Sequence, residues 1–146
     1  MSVVEEVTHD SIFMGKLEYG DDLLTTITAI CVERGIKLGR ISAIGAVQKA
    51  RVGYYDQKSQ TYQFRDLNYP MEILNLVGNI SIKDGDPFVH VHITLIDEHG
   101  EAHGGHLASG TVVFACELVI EGLSGPQFVR SLDGETGLPL WGDGCD

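Results

Sequence analysis

Five of the six histidines fall between Pro87 and Gly110, in the run P-F-V-H-V-H-I-T-L-I-D-E-H-G-E-A-H-G-G-H-L-A-S-G. Neutral imidazole ligates zinc and several other transition metals, so spacing decides whether such a cluster can converge on one ion. His90 and His92 are two residues apart, in a stretch where Val89, Val91, Ile93 and Leu95 take the other parity. In an extended strand that parity puts both imidazoles on one face and the aliphatic side chains on the opposite one. Asp97-Glu98-His99-Gly100 then reads as a tight turn, and the chain returns through Gly104-Gly105 to His106. An antiparallel hairpin brings His106 towards the pair, and the two glycines allow close backbone approach. His90, His92 and His106 are therefore the candidate metal ligands.

A set of three His ligands leaves a fourth tetrahedral position open, the arrangement of catalytic rather than closed structural zinc. A divalent metal, zinc first, is the expected cofactor, and nickel, iron and cobalt share the ligand preference. The bland use of the same residues is a hydrogen-bonded sheet face or a subunit contact. His99 and His103 lie at or beside the turn and are expected in solvent, with His103 a reserve third ligand if the register slips. Glu72 is the carboxylate to weigh as a general base or a partner to a ligand, because it shares a face with Leu74, Leu76 and Ile80 in a continuous strand. Its simpler reading is a strand-end residue in water. Glu117 carries the same ambiguity with less support.

The elements that must position these groups follow from the rest of the chain. Its 146 residues suit one domain. Ile12 to Tyr19 reads as a first strand. Asp21 then offers an N-cap to a helix in which Leu23, Leu24, Ile27, Ile30 and Cys31 recur at helical spacing, with Gly35 at the stop position. From Gly39 the pattern is β. Strands are expected at Ile41 to Val47, with Gly45 marking close packing, at Ala50 to Asp56, and at Thr61 to Leu67. Met71 to Ile82 follows, with Gly78 as a bulge or bend, then the histidine hairpin and Thr111 to Ile120. Gln127 to Leu132 reads as a last short strand. Asp133 to Asp146 reads as a loose end in which Leu138, Leu140 and Trp141 could dock. The sum is an α+β fold: a mixed, largely antiparallel curved sheet with one main packed helix.

Composition narrows the function. The net charge is -11, which opposes the phosphate neutralisation on which nucleic-acid binding rests, and Lys49 with Arg51 is the nearest approach to a basic cluster. Cys31, Cys116 and Cys145 are odd in number and form no C-x-x-C, as expected of thiols in a reducing compartment. The first residues do not read as a signal peptide, and no apolar run is long enough to span a membrane; a cytoplasmic protein is the expectation. Phosphate-loop, dinucleotide and nucleophile-elbow motifs do not occur.

Five segments together resemble one known family. S-A-I-G-A-V (Ser42 to Val47), G-Y-Y-D (Gly53 to Asp56), M-E-I-L-N-L-V-G-N-I (Met71 to Ile80), D-G-D-P-F-V-H-V-H (Asp84 to His92) and G-G-H-L (Gly104 to Leu107) are similar to the PPC domain, conserved in plants and prokaryotes. The resemblance covers residues 10–123, leaving 124–146 as a C-terminal extension. It implies a trimer-forming sheet with a packed helix, and a metal at the histidines matching His90, His92 and His106. Prokaryotic members stand alone and carry a predicted DNA-binding label. Plant members add an AT-hook, and its Arg-Gly-Arg-Pro core does not occur in this chain. The expectation is a stand-alone homotrimeric PPC protein that binds a divalent metal and serves as a regulatory or interaction module, with a protein partner and no membrane. A DNA-binding, transcription-related protein and a small metal-dependent hydrolase or lyase are the alternatives.

Overall fold

Alternating β-branched and aromatic runs pair into an antiparallel sheet that curls around one helix. A computed structural model describes residues 2–142. Its elements are β1 (Thr8–Leu17), α1 (Leu23–Arg34), β2 (Gly39–Asp56), β3 (Thr61–Leu67), β4 (Met71–Lys83), β5 (Asp86–Ile96), β6 (Ala102–Leu107), β7 (Val112–Ser124), β8 (Arg130–Leu132) and β9 (Pro139–Trp141). The main sheet runs β1-β7-β2-β4-β5-β6, with β3 on β2. Each strand pair is antiparallel, and the one parallel contact among the described residues is an isolated bridge, Ile82 to Val129.

β2 sets the curvature. The expected pair Ile41 to Val47 and Ala50 to Asp56 is one 18-residue strand. Its first part pairs with β4 and β7, and its second part pairs with β3 and, at Val52 and Gly53, with β6. β6 also pairs with β5, so β2, β4, β5 and β6 close a circuit. Register shifts near Ala46, Val47 and Lys49 bend β2 without ending it, and Gln48 Nε2 of the side chain donates to the Val113 carbonyl there. Gly45, at φ 148°, lies against the Ala115 carbonyl, where a Cβ would not fit.

The helix begins one residue later than its first acid suggests. Asp22, not Asp21, is the N-cap: its carboxylate accepts from the Thr25 amide at 2.9 Å. Asp21 instead accepts from the Glu18 amide in the preceding turn. Gly35 stops the helix in the left-handed conformation, and its N–H reaches the last carbonyls. Leu23, Ile27 and Cys31 are buried on the helix side of the sheet, where α1 packs over β5. Val89, Val91, Ile93 and Leu95 join that core, and the sheet's opposite face is left for other uses.

Cys31 and Cys116 are buried, and burial pushes each thiol up to about 11, so both behave as small apolar core residues. Cys145 lies outside the described residues. No helix among the described residues is long and apolar enough to cross a membrane.

Candidate metal centre

Two structural decisions carry the histidines to one place. The parity of β5 turns His90 and His92 away from the helix, with His92 exposed and His90 half-buried. The β5–β6 register sets His106 directly opposite His92, and the β2–β6 pairing sets it opposite Gly53. Gly105, at φ 155°, permits that double pairing: a Cβ would lie 2.6 Å from the Gly53 carbonyl oxygen. Gly104 serves the same close approach on the β5 side, against the Ile93 carbonyl.

The resulting triangle is tight. Ring centroids are 5.1 Å apart for His90–His92 and His90–His106, and 5.8 Å for His92–His106. One ring nitrogen from each of the three lies within 4.8 Å of the others. His106 Nδ1 is buried with no hydrogen-bond partner, a cost that a bound cation would remove. Tyr62 lies against the His106 ring at 4.8 Å and fixes its plane. Burial first, then Arg130, His106 and His92, pulls His90 down to about 4. Burial, then His92 and Arg130, also lowers His106. Both rings are thereby held neutral, the form that ligates metal. The donor set and its protonation fit a divalent cation of the zinc type, and that ion would supply Lewis-acid chemistry at an open position.

His99 is exposed at the turn, as expected. His103 is not in reserve for the centre. Its Nε2 meets Asp97 Oδ2 at 2.7 Å, while Asp97 Oδ1 accepts from the His99 and Glu101 amides. The His103 contact, then these amides, hold the Asp97 carboxyl down at about 2. Asp97 thus organises the turn that sets the register.

Glu72 does not head an apolar face. A register shift between Ile73 and Asn75 reverses the parity of β4, so Glu72 and Leu74 are exposed while Leu76 and Ile80 are buried. Glu72 sits opposite Ile96 and Ala46, away from the histidines, beside a groove formed with Tyr19 and Phe114. The irregularity expected at Gly78 is absent. Gly78 instead keeps regular pairing against Val91, where a Cβ would strike the His90 carbonyl. Glu117 is exposed, opposite Lys16 and Ile44.

The tail holds what local patterns could not reveal. β8 and β9 pair with each other and dock over the histidine side of the sheet. Arg130, 8% exposed, donates to Ser81 Oγ at 2.9 Å, to Asn79 Oδ1 at 2.8 Å and to the Pro139 carbonyl at 2.9 Å. Asn79 is the direct cross-strand partner of His90, so the guanidinium is anchored beside the centre. The Phe88 and Trp141 rings flank it at 5.2 and 5.5 Å. Leu138 and Leu140 join it in lining a cavity over His90 and His106.

A model of the Plants and Prokaryotes Conserved (PCC) domain matches residues 4–124. A metal-containing protein of Archaeoglobus fulgidus has the same fold at TM-score 0.92 and 45% identity, over 97% of this chain and 100% of that one. A protein of Bacteroides thetaiotaomicron, provisionally described as DNA-binding, follows at TM-score 0.84 and 27% identity, over 93% and 96%. Bifunctional protein GlmU of a Synechococcus strain is 30% identical over 134 residues, 86% of this chain and 20% of that protein. The chain therefore spans about a fifth of the length of the curated relatives it matches.

Proposed function

From the premise that the chain belongs to the Plants and Prokaryotes Conserved domain family, we propose that it is a homotrimeric metal-binding protein. His90, His92 and His106 hold one divalent cation, zinc in the first instance, and the domain works as a regulatory or interaction module in the cytoplasm. The observation that carries the metal is the convergence of three ring nitrogens within 4.8 Å, one ring with an unpaired buried nitrogen. The metal-containing A. fulgidus relative supports it. A module is favoured over a hydrolase or lyase because Glu72, the carboxylate weighed as a general base, lies away from the centre.

Self-association is supported by an uncovered row across the sheet. Met14, Val119, Ser42, Val77 and His92 are successive cross-strand partners on the face opposite the helix. Met14 is 81% exposed and Val77 52%, with Ile12, Ile44 and Leu74 also exposed beside them. The apolar members of that row, Met14, Val119 and Val77, with Ile12, Ile44 and Leu74 beside them, suit a second copy of the chain. DNA is the weaker partner: the chain carries -11, and Arg51 is already engaged with Asp66 and the Phe64 ring.

Elemental analysis of metal-reconstituted protein tests the centre. One metal per chain is expected in the unaltered protein and in His99→Ala, and loss of stoichiometric metal in His92→Ala. Unchanged metal in His92→Ala refutes the assignment.

A further inference from the structure

Arg130 is a buried cation without a carboxylate within salt-bridge distance among the described residues, in a chain with an excess of acids. Buried charges in proteins are ordinarily compensated by an opposite charge. A guanidinium has five N–H donors, and three are spent here on Ser81, Asn79 and the Pro139 carbonyl, all neutral acceptors. Beside it lies a cavity of about 340 Å³, lined by Lys83, Arg130, His90, His106, Tyr62 and Phe88 together with the docked tail. No acid contributes to that lining. Asp133 and Glu135 line a separate cleft with Arg130 and His90, and Asp133 is occupied by the amide and hydroxyl of Thr136.

We infer that this basic cavity binds a small organic carboxylate, its charged end towards Arg130 and Lys83 and its apolar body against Phe88 and the tail leucines. The choice of ligand follows from the walls. The volume stands at the lower end of small-molecule sites and exceeds what a bare inorganic anion fills. Phe88, Tyr55, Tyr62, Leu138 and Leu140 give an apolar body something to displace water from. Planar carboxylate is also the anion that an arginine fork matches. The inference rests in part on the metal reading, because a dication at His90 and His106 would add to the same uncompensated positive field. The arginine, the lysine and the cavity stand without it.

Benzoate is the probe. Calorimetric titration of the full chain, metal-free and zinc-loaded, is expected to give saturable benzoate binding with Kd on the order of 1 mM or tighter. Benzamide, the neutral isostere, is expected to bind at least about tenfold more weakly through the loss of one charge-assisted contact, and inorganic phosphate at least about tenfold more weakly because it has no apolar body to set against Phe88 and the tail leucines. Arg130→Gln is expected to lose about tenfold or more for the same reason. Because Arg130 also anchors the tail, Lys83→Met is the second variant: it leaves the Arg130 hydrogen bonds in place and should weaken benzoate several-fold. Benzamide or phosphate binding as tightly as benzoate overturns the inference. So does a lack of benzoate binding, or benzoate affinity unchanged in both variants. Zinc content measured on the same samples separates the two readings. A chain that takes up benzoate but no zinc refutes the metal and keeps the carboxylate site, and the reverse result does the opposite.

Discussion

Gly105→Ala tests whether the sheet register builds the metal centre. Gly105 has φ 155°, a conformation that L side chains seldom adopt, and it sits between Ile93 on β5 and the β2 backbone. An added Cβ would be 2.6 Å from the Gly53 carbonyl oxygen and 3.4 Å from Val52 Cβ. The first contact is against backbone and cannot be relieved by a rotamer, so β6 and β2 must separate by several tenths of an ångström. A backbone held in this region costs about 1–3 kcal/mol. His106 is the next residue, and metal–ligand distances tolerate about 0.2 Å. The expected result is a loss of about 1–3 kcal/mol of stability together with markedly weaker zinc binding. Gly100→Ala is the control. It also has positive φ, 78°, but a Cβ there meets nothing within 4 Å, at the far end of the turn. It should lose stability and keep zinc affinity. Chemical denaturation and zinc competition against a chromogenic chelator give the two readouts. A Gly105→Ala protein with unaltered stability and zinc affinity would refute the reasoning.

Acid should act through the histidines in a definable window. His90 falls from 6.5 to about 4 on folding, so the stability tied to its neutral form is full above pH 6.5 and drains away as pH falls towards 4. Thermal melts of the metal-free chain across that range check the sign; a midpoint that rises on acidification contradicts it. Zinc occupancy, followed by equilibrium dialysis, should decline over the same acid range because protons compete for the rings. Light scattering should return three times the 15.9 kDa chain mass, and Met14→Glu, placed in the uncovered row, should lower it. A monomer at micromolar concentration defeats the trimer. Duplex DNA should show no saturable anisotropy change at physiological salt, and nanomolar binding would restore the DNA reading.

The histidine hairpin was legible because its information is local. The parity of Val89 to Ile96, the turn residues and the glycine pair all fall within one short segment, and the helix stop at Gly35 is local in the same sense. The failures come from features with distant causes. Gln48-Lys49 looks like a break in β2 until Val113 and Val112 are seen to pair across it. The parity reversal in β4, between Ile73 and Asn75, is set by pairing with β5, so a continuous-strand reading puts Glu72 on the face of Leu76 and Ile80. The burial of Arg130 has no local signal in the sequence. A three-residue strand has no readable period, and its burial depends on Asn79 and Ser81, some fifty positions earlier.

The two kinds of strand pairing also differ in the order in which they can form. His92 and His106 face each other across a loop of a dozen or so residues, whereas β1 meets β7 through partners such as Thr8 and Ser124, 116 positions apart. Closing the longer loop costs about 2 kcal/mol more in chain entropy, some three doublings of length. The histidine hairpin is thus accessible to an incompletely folded chain before the sheet is closed by its first strand. If the three histidines take a metal, one taken up at that early stage would also bind the unfolded ensemble. The stabilisation it would lend the native protein would then be smaller than its affinity for the finished site, by the amount of that early binding.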